Sequence, residues 1–100
     1  MNKLYDLVEA FIDKISAQSD KFGLLFDPDE DIKRHLYCAE KVCRLEITLE
    51  DAFVFLRLFR FICKYAYDNP GCIIDSLDYK DHVIVVDIMT PEALVKIFYE

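Results

Sequence analysis

The sequence predicts an α+β fold: a mainly helical small domain of three helices, then a β-hairpin and a short C-terminal helix. Three observations carry that expectation. Apolar residues recur at helical spacing near the N-terminus, residues 48–71 form a long aromatic-rich stretch bounded by capping residues, and β-branched residues dominate after Gly71. The 100 residues suit one globular domain, 1–100. A chain of that length buries roughly two-thirds of its unfolded surface, enough for stability without disulfides or metal.

Leu4, Val8, Phe11 and Ile15 define the stripe of the first helix, over residues 2–19. Leu7 and Ile12 widen the stripe, Asp6, Glu9, Asp13 and Lys14 lie off it, and Asn2 can cap it. The short apolar run at residues 22–26 contains Gly23 and reads as a loop whose large side chains plug the core, with a strand as the alternative. Asp27-Pro28-Asp29-Glu30 is a helix start, with Asp27 as cap, Pro28 in the first turn and Glu30 completing a capping box. The second helix is expected to run to about Arg44, presenting Ile32, Leu36, Ala39 and Cys43 on one face. Residues 45–47 alternate as a strand would, but the run is short and reads as a connection.

Thr48 is the expected cap of the third helix, and Glu50 and Asp51 suit the positive end of its dipole. Phe53, Phe55, Leu56, Leu58, Phe59, Phe61, Ile62 and Tyr65 surround most of its circumference, leaving a narrow polar stripe of Glu50, Arg57, Arg60 and Lys64. A helix apolar nearly all round is expected to be buried, here as the interior axis of the fold. Asp68, Asn69, Pro70 and Gly71 end it, with Asn69 suited to a left-handed conformation. Residues 72–77 and 82–88 then form a hairpin around the polar turn 78–81. Residues 83–86 are apolar on both faces, which predicts a central or doubly covered strand. Thr90, Pro91 and Glu92 start the last helix, through Ala93, Leu94, Ile97 and Phe98.

The net charge is −7, from 19 acidic and 12 basic residues. Such a balance disfavours nucleic acid and anionic membranes and favours a protein partner with a basic surface. The apolar stretch over residues 48–71 is interrupted by Arg57, Arg60 and Lys64 and is too short and charged to span a bilayer. Lys3, Asp6, Glu9 and Asp13 lie on an amphipathic pattern unlike a signal peptide. A cytoplasmic protein with reduced cysteines is the expectation.

Motifs for chemistry are weak. Asp27, Asp29 and Asp31 alternate as at the start of an EF-hand loop, but Ile32 occupies the glycine position and Cys38 the position of the bidentate glutamate. The four cysteines, Cys38, Cys43, Cys63 and Cys72, form no close pair, and His35 near Cys38 does not complete a zinc set. No local context marks a cysteine paired with His35 or His82 as a nucleophile, and His82 reads as a strand-edge residue. Gly23 and Gly71 are the only glycines, so no phosphate-cradling glycine loop exists. No cofactor, metal or catalytic residue is expected.

Two acidic sets remain as candidate partner-binding residues. One is Asp27, Asp29, Glu30 and Asp31; the other is Asp75, Asp78 and Asp81 with Tyr79 at the turn. Carboxylates beside an exposed aromatic suit docking on a basic partner. The sequence therefore predicts a non-catalytic acidic protein-binding module. Its most concrete form is an immunity or antitoxin-type inhibitor occupying the basic site of a toxin or nucleic-acid-acting partner, with a phage-type nucleic-acid mimic as a variant. The alternative is a structural or adaptor protein that forms a homodimer through exposed apolar surface.

Overall fold

The computed structural model describes residues 3–99. Its elements are α1 (Lys3–Lys21), α2 (Pro28–Asp31), β1 (Ile32–Tyr37), β2 (Val42–Thr48), α3 (Ala52–Asp68), β3 (Cys72–Asp78), β4 (Val83–Met89) and α4 (Pro91–Phe98). The domain is α+β, as its sequence predicts, but it carries a four-stranded antiparallel sheet in the order β1-β2-β4-β3. Two hairpins, β1-β2 and β3-β4, meet edge to edge through β2 and β4, and α3 is the link between them.

The amphipathic stripe of α1 buries Leu4, Val8, Phe11, Ile12 and Ile15, and the capping role of Asn2 lies outside the described residues. Residues 22–26 are a loop, with Gly23 left-handed at φ 64° and Leu24 and Phe26 packed against the core. Leu25 and Phe22 of the same loop stay exposed, so only part of the run plugs the core. The α1 and α3 helices lie on one face of the sheet. Their Phe11, Ile15, Phe55, Leu58 and Ile62 meet Leu45 and Ile47 of β2 and Ile84 and Val86 of β4 in one core. On the other face Ala93 and Leu94 of α4 cover Val42, Met89 and Ile73. The C-terminal hairpin and the central position of β4 agree with the pattern of residues 72–88.

The second helix is corrected. Asp27 does cap it, accepting from the Asp29 N–H at 3.0 Å, but the helix lasts a single turn before β1 begins. Residues 32–48 form a hairpin whose inward side chains include Ile32 on β1 and Cys43, Leu45 and Ile47 on β2. A helix over this stretch would bury Ile32, Leu36, Ala39 and Cys43 alone. The strand buries Leu45 and Ile47 completely and puts Arg44 and Glu46 on the opposite face. The turn hides from sequence reading because Cys38, Ala39 and Glu40 all adopt left-handed backbone angles, at φ 53°, 54° and 65°, with no glycine or asparagine present.

The third helix is corrected in two respects. Asp51 rather than Thr48 is its cap, accepting from the N–H groups of Phe53 and Val54 at 2.8 and 3.1 Å, because Thr48 is still paired with Val83 in the sheet. Nor is α3 an interior axis: it buries Val54, Phe55, Leu58 and Ile62, while Phe53, Leu56 and Tyr67 face outward. A two-layer fold covers only one side of a helix, and the remaining apolar groups stay at the surface. Asn69 ends α3 in an extended conformation, its side-chain amide donating to the Tyr65 carbonyl at 2.9 Å.

Gly71 follows at a close backbone approach, its carbonyl accepting from the Met89 N–H at 2.9 Å; a Cβ there would collide with the Met89 carbonyl oxygen. Gly71→Ala is therefore expected to cost about 1–3 kcal/mol in urea unfolding. Ala39→Gly, at a left-handed position, should do the opposite and raise stability by roughly 1 kcal/mol in the same measurement.

Candidate functional site

The antiparallel order places four chain segments at one end of the sheet. Residues 27–31 enter β1 there, residues 49–51 leave β2, Asp78 ends β3, and residues 79–82 lead into β4. The two acidic sets, far apart in sequence, thus reach the same end of the sheet, where Glu50 and Asp51 join them.

Local backbone chemistry explains why aspartates lie there. Asp27 caps α2, and Asp31 accepts from the Asp27 N–H at 2.9 Å. Asp51 caps α3. Asp78 accepts from the N–H groups of Lys80 and Asp81 at 2.9 and 3.0 Å, closing the hairpin turn. Each of these carboxylates is held by backbone donors. Asp29, Glu30, Glu50 and Asp81 are exposed, and among the described residues their side chains make no ion pair or hydrogen bond.

Two features shape the surface. A groove of about 680 Å³ between α2 and the start of α3 is lined by Asp27, Asp31, Glu50 and Asp51 and floored by Phe26 and Leu49. Beside it, Tyr79 is 64% exposed and stands edge-on to Phe55, with ring centroids 5.9 Å apart. His82 also packs on Phe55, at 5.1 Å, and its Nδ1 lies 3.2 Å from the Glu50 carbonyl oxygen. His82 is left-handed, at φ 56°, and belongs to the turn.

Asp75 is placed elsewhere. It sits at the β3 bulge between Ile74 and Ser76, on the sheet face away from α1 and α3, 3.4 Å from Arg44. Arg44 also makes a two-pronged pair with Asp87, at 2.8 and 3.1 Å, and stacks on Tyr37 at 5.1 Å. The hydrogen bonds to Asp87 push the guanidinium further above its ordinary pKa, against the smaller opposing effect of burial. Asp75 thus neutralises a cation within the fold, whereas Asp78 and Asp81 do not.

Sequence reasoning missed Glu50 and Asp51 as surface charge, since both were absorbed into a helix cap. The detectable signal was Asp51 itself, a better-placed cap than Thr48 once residues 45–48 are given to a strand. The Arg44–Asp87 pair had no sequence signal, because it depends on a register 43 residues apart.

The cysteines and histidines form no reactive set. All four cysteines are free, Cys38 and Cys63 exposed, Cys43 and Cys72 buried. Among the described residues no group of three His, Cys, Asp or Glu side chains is arranged to hold a metal ion. His35 lies 4.0 Å from Glu46 across the hairpin and 6.5 Å, ring to ring, from Tyr37. No helix among the described residues is long and apolar enough to cross a membrane. No protein-family model, curated protein or solved structure matches the chain.

Burial raises the Cys72 thiol from its ordinary 9.0 to about 12 and raises Cys43 as well. Because the folded value of Cys72 is the higher one, its contribution to stability is intact below 9.0 and is lost as pH rises through about 12. Two outcomes follow. At about pH 8 a thiol reagent should label Cys38 and Cys63 quickly and reach Cys43 and Cys72 only as the chain unfolds. Stability followed by denaturant titration should fall on the alkaline side, and Cys72→Ala should flatten that fall while lowering stability at neutral pH.

Proposed function

We propose that this protein is a non-catalytic, acidic protein-binding module that docks on a basic partner through the acidic end of its sheet. The observation that carries the reading is the convergence there of Asp27, Asp29, Glu30, Asp31, Glu50, Asp51, Asp78 and Asp81, half of them held in place by backbone N–H groups. Carboxylates already ordered before binding lose little side-chain freedom on docking, and a field of one sign steers association. Tyr79, fixed on Phe55 yet largely exposed, supplies an aromatic anchor of the kind that concentrates binding energy.

The most concrete form of this reading is an immunity or antitoxin-type inhibitor. Its carboxylates would occupy a cationic site that otherwise holds the phosphates of a nucleic acid. A phage-type nucleic-acid mimic would use the same surface. The structural roles of both histidines and the raised pKa values of the buried thiols support the non-catalytic part.

A second reading, self-association, is favoured by one separate observation. Val95, Ile97, Phe98 and Tyr99 on and beyond α4 are 42–78% exposed, an apolar surface away from the acidic end. Sedimentation over a range of protein concentration and salt separates the two. A dimer that persists in high salt supports the apolar surface as an interface, and a monomer removes that reading.

Capture from a lysate tests the acidic surface itself. The variant D29N/E30Q/E50Q/D81N changes only carboxylates with no bonding role, so its unfolding midpoint should stay within about 0.5 kcal/mol of wild type. It should nevertheless lose the basic partner, with an association rate reduced roughly tenfold or more at low salt. Unchanged capture would remove the acidic end from the interface.

A further inference from the structure

A second charged surface has the opposite sign. Arg57, Arg60 and Lys64 share one stripe of α3, and Lys21 ends α1 beside them; with Phe22 and Phe61 they line a groove of about 350 Å³. Among the described residues no carboxylate lies within ion-pair distance of any of the four cations. Elsewhere the fold does pair its arginines: Arg34 lies 2.8 Å from Glu9, and Arg44 is bound by Asp87 and Asp75. In a chain of net charge −7, four unpaired cations gathered into one groove need a reason.

Arg57 is the cation that the aromatic rings enclose most closely. Its guanidinium lies 4.5 Å above the Phe22 ring and 5.6 Å from that of Phe53, and Lys21 approaches Phe22 at 5.6 Å. Aromatic faces orient these cations without neutralising them. The Arg57 Nε is buried and donates to no acceptor among the described residues. A buried charged donor left unused is costly and uncommon in a native fold.

Helix-end electrostatics do not account for the set. The last carbonyls of α1 are already occupied: Gln18, Asp20 and Ser19 accept from the N–H groups of Phe22, Gly23 and Leu24 at 3.3, 3.2 and 2.9 Å. Arg57 and Arg60 lie in the second and middle turns of α3, where its dipole gives cations no advantage.

We infer that this groove binds a small ligand carrying a diphosphate group. Two planar guanidinium groups present paired donors suited to phosphate oxygens, and two ammonium groups add point charge around the same space. A single carboxylate or monophosphate would leave most of that charge unmatched. Inorganic pyrophosphate and the diphosphate of a nucleotide share the recognised chemistry. This site is independent of the acidic end of the sheet and does not rest on its proposed role.

Calorimetric titration of the full chain with pyrophosphate, ADP and orthophosphate at low salt tests the assignment. One equivalent of pyrophosphate should bind, orthophosphate should bind roughly tenfold or more weakly, and added salt should weaken both. ADP binding more tightly than pyrophosphate identifies a nucleotide as the source, and equal or weaker binding identifies the inorganic anion. R60Q/K64Q, altering two outward side chains, should keep the circular dichroism of the fold and reduce pyrophosphate affinity roughly tenfold or more. In a nitrogen-15 spectrum the Arg57 Nε–H resonance should move on titration, a signal that stability does not mimic. Failure of both pyrophosphate and ADP to bind, affinity unchanged in R60Q/K64Q, or an unmoved Arg57 resonance would overturn the inference.

Discussion

The pairing of β2 with β4 is the constraint on which the rest of the molecule depends. It aligns Val42 with Met89 at one end and Thr48 with Val83 at the other, joining residues some forty positions apart. Closing so long a loop costs chain entropy before any contact is returned. The return comes from burial: the shared register turns Cys43, Leu45 and Ile47 together with Ile84, Val86 and Ile88 toward α1 and α3. A slip by one residue would turn this whole set to the other face and bring Arg44 and Asp87 into the core. On the opposite face the Arg44–Asp87 pair, with Asp75 at the β3 bulge, resists such a slip by requiring the two strands to be aligned as they are.

Charge placement follows from the same pairing. Aspartates gather where strands and helices begin or end, because caps and turns need acceptors for free N–H groups. In an extended chain those positions are scattered; in the order β1-β2-β4-β3 they share one end of the sheet. The cations of Lys21, Arg57, Arg60 and Lys64 gather instead between α1 and α3. Net charge alone describes an acidic protein and conceals both surfaces. A surface set by topology carries its charge in a fixed arrangement, and that arrangement is what a partner or an anion would meet.

The parts of the fold that were legible in the sequence are those with local signals. The stripe of α1, the Asp27-Pro28 and Thr90-Pro91 starts, and the β-branched hairpin of β3 and β4 all announce themselves within a few residues. The first hairpin did not, for two physical reasons. Its β1 strand is an edge with only Ile32 buried, so it lacks the apolar alternation of a half-buried strand. Its turn places Cys38, Ala39 and Glu40 in left-handed angles without the residues that usually mark them. Of the acidic surface, the two clusters were visible as composition, but their convergence was not, since it requires the β2–β4 register. Asp75 looked equivalent to Asp78 in sequence and differs because the bulge points it at Arg44. The aromatic excess of α3 suggested complete burial, whereas part of it orients Arg57 at the surface of the helix pair.

The shared end of the sheet can be tested directly by paramagnetic broadening. A nitroxide attached at Asp81→Cys, in a chain with Cys38 and Cys63 replaced by serine, sits at the entry to β4. Two strand spacings, roughly 10 Å, separate that position from the entry to β1. The amide resonances of residues 29–31 and 49–51 should broaden strongly, while those of the turn at residues 38–41 at the far end of the sheet should not. Broadening confined to residues neighbouring the label in sequence, with residues 29–31 and 49–51 untouched, would contradict the arrangement.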